Sequence, residues 1–132
     1  MLIERTSVGL DVHARSIVGC AIDEQTGEMI QRRFGYDPAE AIAWVKDLPG
    51  PQHVVYEAGP TGFELARQFE ASGVHCVVAA PSKLQRPSGD RVKTDARDAA
   101  HLARLLRLGE VTVVRIPTRD QEASRDLVRA RE

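Results

Sequence analysis

The sequence is poor in cysteine and has no long hydrophobic run. It contains two cysteines, Cys20 and Cys76, each within an apolar segment, and no CxxC or Cys/His spacing. This pattern argues against a disulfide framework or a zinc site and predicts two buried free thiols in a reducing compartment. Glu4 and Arg5 follow the initial Met, and no apolar stretch of signal-peptide or membrane-span length comes after them. We therefore expect a cytoplasmic protein with no membrane partner.

The chain also lacks a large net charge. Its 132 residues carry a formal net charge of -1, and 42% of them are hydrophobic, as expected for one domain with a real core. The charge is nevertheless uneven: residues 83–107 contain 7 Lys or Arg against 3 Asp, a net of +4, whereas residues 1–82 have a net of -5. This basic band, residues 83–107, suits a polyanion held near a metal. On charge alone, a solvated loop and helix face explains it equally well.

Hydrophobic patterning predicts the element order βββαβαβ followed by further helix. The predicted strands cover residues 5–13, 16–23, 28–35, 52–57 and 74–80. The predicted helices begin at Asp37-Pro38, near Thr61, near Thr94 and at Thr118, with a loop over 81–93 and a short extended piece over 111–116. A three-strand meander followed by αβαβ crossovers predicts an α/β fold with a mixed five-stranded sheet and helices on both faces.

Four acidic residues lie at predicted strand ends or near a helix start. Asp11 and Glu57 each end an apolar-rich run, while Asp95 and Asp98 are three residues apart on one helix face. First-turn acids are common without a ligand, because they interact well with the helix dipole, so the helical pair alone leaves that alternative open. An acid at the end of a buried strand is costly without a partner. A divalent metal is a partner that all four could share.

The predicted sheet brings these acids together. The first strand is expected at the centre of the sheet with the fourth beside it, so that Asp11 and Glu57 face the same way. A helix packed over that edge would add Asp95 and Asp98. Three or four clustered carboxylates are typical of a pair of Mg²⁺ or Mn²⁺ ions ~3.5–4 Å apart, which stabilise the attacking and leaving oxygens of a phosphodiester. We therefore predict catalytic and metal-binding roles for these four residues.

Three motifs in this order and spacing give a resemblance that covers the whole chain. The motifs are Val8–His13, Tyr56–Gly62 and Lys93–Ala99. The chain resembles the N-terminal domain of the DEDD transposases of the insertion-sequence "one-ten" family, whose relatives include the pilin-gene invertases. The resemblance implies a RuvC-like, that is, ribonuclease-H-like, fold. It also implies that the four acids of the family are Asp11, Glu57, Asp95 and Asp98, which agrees with the prediction from the residues.

The resemblance also implies a larger protein and further partners. Family members are longer, carry a DNA-attacking serine in a second domain, and are guided by a structured RNA from the element. We expect residues 1–116 to form the catalytic domain and residues 117–132 to begin a helical, coiled-coil-like linker to a domain outside this chain. No serine here has a motif that marks it as the nucleophile. The expected partners are DNA, guide RNA and a second copy of the chain, bound through the last helix.

Basic residues around the Asp pair are the candidates for nucleic-acid binding. They are Lys83, Arg86, Arg91, Lys93 and Arg97. His13 could contact a metal or a phosphate, but an ordinary turn histidine is the preferred interpretation. Alternative functions are a guide-RNA or DNA binding module without its own activity and a Holliday-junction-type resolvase. A sugar-kinase or actin-like ATPase fragment is disfavoured, because residues 13–16 supply no glycine-rich phosphate loop.

Overall fold

A computed structural model describes residues 5–81 and 91–131, with the side chains of all of these except 91–93 and 126–131. The elements follow in the order β1 (Thr6–Val12), β2 (Ser16–Asp23), β3 (Met29–Gly35), α1 (Pro38–Lys46), β4 (Gln52–Glu57), α2 (Glu64–Ala71), β5 (His75–Ala79), α3 (Arg91–Leu108), β6 (Val113–Val114) and α4 (Arg119–Arg131). The strands form one mixed sheet in the order β3-β2-β1-β4-β5-β6. Strands β1, β4 and β5 are parallel, and the pairs β1–β2, β2–β3 and β5–β6 are antiparallel.

The predicted α/β fold and its five strands are confirmed. The sheet has in addition a sixth strand, β6, within the segment predicted only as a short extended piece, and it pairs with Val78 and Ala79 at the edge of the sheet. Helix α3 begins at Arg91 rather than near Thr94, so it takes in the end of the predicted 81–93 loop. The greater part of that loop, residues 82–90, lies outside the described residues.

Alternation along the strands divides the core between the two faces of the sheet. On one face, Val8, Leu10, Val54 and Tyr56 pack with residues of α1 and α2. On the other face, Val18, Cys20 and Ile22 of β2 pack with Ala99, Ala100 and Ala103 of α3, and Val55 packs with Leu102. Helices therefore cover both faces, as predicted, and α3 lies over the centre of its face.

A local sequence signal explains the start of α1. Asp37 caps α1, since its carboxylate accepts a hydrogen bond from the backbone N–H of Glu40 at 3.3 Å, and Pro38 occupies the first helical position.

Cys20 and Cys76 are buried free thiols, as predicted, and burial raises the pKa of both. Within residues 5–81 and 91–131, none of the helices combines the length and apolar character needed to cross a bilayer.

Gly9 allows α3 to lie unusually close to the sheet. A Cβ at this position would collide with the carbonyl oxygen of Ala99 and would lie 2.5 Å from the backbone nitrogen of Ala103. Real Cβ atoms essentially never approach backbone so closely, so only glycine fits without moving the helix. Because Gly9 is two residues before Asp11 on the same face of β1, this close approach brings the start of α3 over the acidic end of the strand.

Candidate metal centre

The ends of the two central parallel strands carry the first two acids. Leu10 of β1 pairs in register with Tyr56 of β4, so Asp11 and Glu57 are the next residues along two neighbouring parallel strands. Gly9 and Val55, which precede them by two residues, both face α3. Strand alternation therefore directs the side chains of Asp11 and Glu57 to the α3 side of the sheet.

Helix α3 contributes the other two acids from its inward face. Asp95 lies one turn before Ala99 and two turns before Ala103, both fully buried against the sheet. Asp95 is itself only 5% exposed, and Asp11 is 6% exposed. Asp98 is three residues further along and half-buried. Two carboxylates from distant parts of the sequence are thus buried together.

His13 joins Asp11 and Asp95 in a compact group. Its Nε2 lies 2.9 Å from Oδ2 of Asp11 and 3.1 Å from Oδ1 of Asp95. One ligand atom from each of the three residues lies within 4.8 Å of the other two. Arg33 on β3 approaches from the other side, with Nη1 3.6 Å from Oδ2 of Asp95. The group therefore combines two buried carboxylates, one imidazole and one guanidinium.

Glu57 and Asp98 lie outside that compact group and line an adjoining cavity. The cavity has a volume of about 310 Å³, and its wall also includes His101, Glu110 and the ends of β4 and β5. Asp11 neighbours Glu57 across the sheet and Asp95 precedes Asp98 by one helical turn, so the two acid pairs adjoin each other. The structure thus brings all four predicted acids to one edge of the sheet as two adjacent pairs.

The donor set of the compact group fits a divalent cation. Carboxylate oxygens are the ligands that Mg²⁺ and Mn²⁺ prefer in proteins, and imidazole is a ligand for transition metals. Two carboxylates that are both more than nine-tenths buried repel each other unless positive charge lies between or beside them. The cluster is therefore compatible with binding a divalent metal ion, for which Asp11 and Asp95 offer buried carboxylate ligands.

Of the five basic residues predicted to contact nucleic acid, the structure describes the side chain of one, Arg97. Lys83 and Arg86 lie outside the described residues, and Arg91 and Lys93 are in the first turn of α3 with side chains that are not described. Arg97 is exposed and lines a groove of about 320 Å³. Arg104, two turns further along α3, lines the same groove with Met29 and Gln31 of β3 and with Ala96 and Ala100 of α3.

Sequence reasoning missed three residues of this region. The preferred interpretation of His13 from the sequence is a turn histidine, whereas the structure places its ring against Asp11 and Asp95; its position two residues after Asp11 is the signal for this placement. Arg33 is remote in sequence, and its place depends on the pairing of β3 with β2, where Val18 lies between Arg33 and Asp11 in register. Arg104 lies within the basic band but is not among the residues predicted from the sequence to contact nucleic acid. The structure places it in the same groove as Arg97.

The fold defines the class of protein as a ribonuclease-H-like α/β domain, here with four acidic residues at one edge of its sheet. The family model of the IS110-type DEDD transposases, described as "Transposase", matches residues 8–132, and the chain belongs to that family.

Two curated relatives agree with this assignment. The chain is 34% identical over 130 residues, 95% of its length, to the transposase for insertion sequence element IS1533 of Leptospira borgpetersenii, of which the match covers 38%. It is 60% identical over 76 residues, 58% of its length, to the putative transposase y4qE of Sinorhizobium fredii, of which the match covers 20%. The chain thus spans well under half the length of the relatives it matches.

Proposed function

We propose that this chain is the metal-dependent catalytic domain of an insertion-sequence transposase that cleaves and exchanges DNA strands. The observation that carries the proposal is the burial of Asp11 and Asp95, 84 positions apart in the sequence, with ligand atoms within 4.8 Å of each other and of His13. Membership of a DEDD transposase family supports the same assignment.

The four acids would divide between two adjacent positions. Asp11 and Asp95 would hold one Mg²⁺ or Mn²⁺ ion, and Glu57 and Asp98, which line the adjoining cavity, would complete the site for a second. When bound, a pair of such ions supplies electrostatic stabilisation to the attacking and leaving oxygens of a phosphodiester. The role of this chain would be to hold the carboxylates in place, and the close packing of α3 on Gly9 would fix their positions.

Nucleic acid would approach along the exposed side of α3. Arg33, Arg97 and Arg104 lie on this side of the sheet, and Arg33 is within 3.6 Å of an acid of the centre. With Lys83, Arg86, Arg91 and Lys93 they would contact phosphates of target DNA and of a structured guide RNA. By the family resemblance, the nucleophilic serine belongs to a further domain, so we expect residues 1–132 alone to perform no strand exchange.

Calorimetry with Mn²⁺ tests the metal centre. The wild-type chain should bind Mn²⁺, and Asp11→Asn should bind it much more weakly, because a neutral amide replaces a buried anionic ligand. Asp47→Asn is the matched control, since Asp47 is an exposed carboxylate at the end of α1 and should leave binding unchanged. Circular dichroism should confirm that all three proteins are folded. Equal binding by the wild type and Asp11→Asn would refute the centre.

A nucleic-acid binding module without activity of its own is the second candidate, favoured by the groove that Arg97 and Arg104 line. The two candidates differ in DNA nicking. A catalytic domain should show weak nicking in Mg²⁺ or Mn²⁺ that Asp98→Ala abolishes, whereas a module should bind nucleic acid without nicking under any metal condition. Recombinant product from this chain alone would instead show that the nucleophile lies within residues 1–132.

A further inference from the structure

We propose that His13 is a direct ligand of the ion held by Asp11 and Asp95, and that its imidazole makes this position favour Mn²⁺ over Mg²⁺. The inference rests on the proposed metal centre and adds to it a nitrogen ligand outside the four acids. The Nε2 atom of His13 lies between two carboxylates contributed by β1 and α3.

The Nε2 atom of His13 faces two carboxylates at once. Nε2 is 2.9 Å from Asp11 and 3.1 Å from Asp95, yet a ring nitrogen carries at most one hydrogen and a carboxylate can only accept. At most one of these two contacts can have the hydrogen to itself; otherwise both share it. One nitrogen atom facing two anionic oxygens is the arrangement that a single cation would satisfy.

The surroundings of the ring support the same role. The side chains of Asp11 and Asp95 are each 7% exposed, whereas that of His13 is 37% exposed. The carboxylates are therefore held by the core, while the imidazole is partly exposed, so an entering ion can reach the oxygens and the Nε2 atom from solvent. The tautomer that carries its hydrogen on Nδ1 leaves the Nε2 lone pair for the ion.

An imidazole changes the selectivity of a carboxylate site. Mg²⁺ binds oxygen ligands and parts reluctantly with its water, whereas imidazole suits transition metals. A nitrogen ligand beside Asp11 and Asp95 should therefore strengthen Mn²⁺ binding more than Mg²⁺ binding. His13→Gln keeps a side chain that can donate a hydrogen bond to the carboxylates but replaces the nitrogen ligand with an amide.

Calorimetry of both ions measures this selectivity. His13→Gln should weaken Mn²⁺ binding by roughly tenfold or more, since even groups that only support a ligand contribute that much. Mg²⁺ binding should change much less. The dissociation constant for Mg²⁺ divided by that for Mn²⁺ should therefore fall toward one. If His13 has a purely structural role, His13→Gln would lower the affinities for Mn²⁺ and Mg²⁺ by the same factor. That result would overturn the proposal.

Pulsed electron paramagnetic resonance on the Mn²⁺-loaded chain without a histidine tag identifies the ligand directly. A nitrogen coupling should be present in the wild type, absent in His13→Gln, and retained in His101→Gln, whose ring lines the adjoining cavity. Coupling that survives His13→Gln, or its absence in wild type with Mn²⁺ bound, would overturn the inference. Those results would leave the proposed centre intact if Asp11→Asn still abolished Mn²⁺ binding; no Mn²⁺ binding in the wild type would remove both.

Discussion

At the scale of single residues, the geometry of the proposed metal centre depends on a glycine that is not one of its proposed ligands. Gly9 lets the backbone of α3 approach β1, and the distance between Asp11 and Asp95 follows from that approach. In Gly9→Ala the added methyl group would meet backbone atoms of Ala99 and Ala103, which cannot turn aside as a flexible side chain can. The helix must then lift, and Asp95 would move with it.

We expect Gly9→Ala to lower the free energy of unfolding by about 1–3 kcal/mol, the usual cost of an overpacked core. Its Mn²⁺ affinity should also fall, although every acid is still present. Urea unfolding and calorimetry measure the two effects. Gly35→Ala is the matched control, because a Cβ at Gly35 would meet nothing within 4 Å. The proposed dependence of the centre on close helix packing is wrong if Gly9→Ala binds Mn²⁺ as the wild type does.

At the scale of elements, α4 is held against α2 by charged contacts. Arg67 of α2 contacts Glu122 at 2.7 Å and donates to the carbonyl oxygen of Pro117 at 2.8 Å. Glu64 of α2 contacts Arg119 of α4 at 2.8 Å and Arg67 at 2.9 Å. Hydrogen bonds from Arg119 and then Arg67 lower the pKa of Glu64 from 4.5 to about 2.

The direction of this pKa shift predicts acid-sensitive docking of α4. Because the folded-state pKa of Glu64 is depressed, its contribution is complete above about pH 4.5 and is lost as the pH falls toward 2. Glu64→Gln should remove that contribution at pH 7 as well. Hydrogen exchange of the α4 amides, corrected for intrinsic rates, should show lower protection in both cases. Glu40→Gln, which removes an exposed acid of α1, is the control; unchanged α4 protection in Glu64→Gln would contradict the expectation.

Elements with strong local signals were predictable from the sequence, and those that depend on tertiary pairing were not. Asp37-Pro38 indicated the start of α1 directly, and the apolar runs indicated the five main strands. Strand β6 is two residues long and exists only because β5 offers it an edge, so no periodicity could reveal it. The approach of the four acids to one edge of the sheet was predictable from the strand ends and the helix spacing. The contact of Arg33 with Asp95 was not, because it depends on the register of β2 and β3.

At the scale of the whole molecule, a nearly neutral chain presents a basic side. Arg97 and Arg104 are exposed on one flank of α3. Within the described residues, neither has a carboxylate in ion-pair range. We expect Arg97→Glu with Arg104→Glu to weaken binding of DNA and RNA. The slope of log K against log salt should flatten by roughly 0.9 for each lost duplex phosphate contact, and by about 0.7 for a single strand.

Nucleic-acid titrations at several salt concentrations measure this slope. Arg115→Glu is the control, since Arg115 is exposed on the segment between β6 and α4 and does not line the groove. Affinity unchanged across salt in the double variant would show that the groove is not the interface. The predicted contacts at Arg86 and Arg91 can be tested by the same charge reversal.

The last prediction concerns pairing of the chain through α4. Among the side chains that the structure describes, Arg119 and Glu122 in the first turn of this helix contact α2, and these contacts are polar. Leu127 and Val128 follow in the same helix, and their side chains lie outside those that the structure describes. Apolar residues on a helix that is docked through charges are typical of a coiled-coil contact, so we expect a homodimer through this segment. Sedimentation velocity should show a dimer for the wild type and for Ser124→Glu, and a monomer for Leu127→Glu with Val128→Glu. A monomeric wild type, or a double variant that remains dimeric, would place any self-association elsewhere.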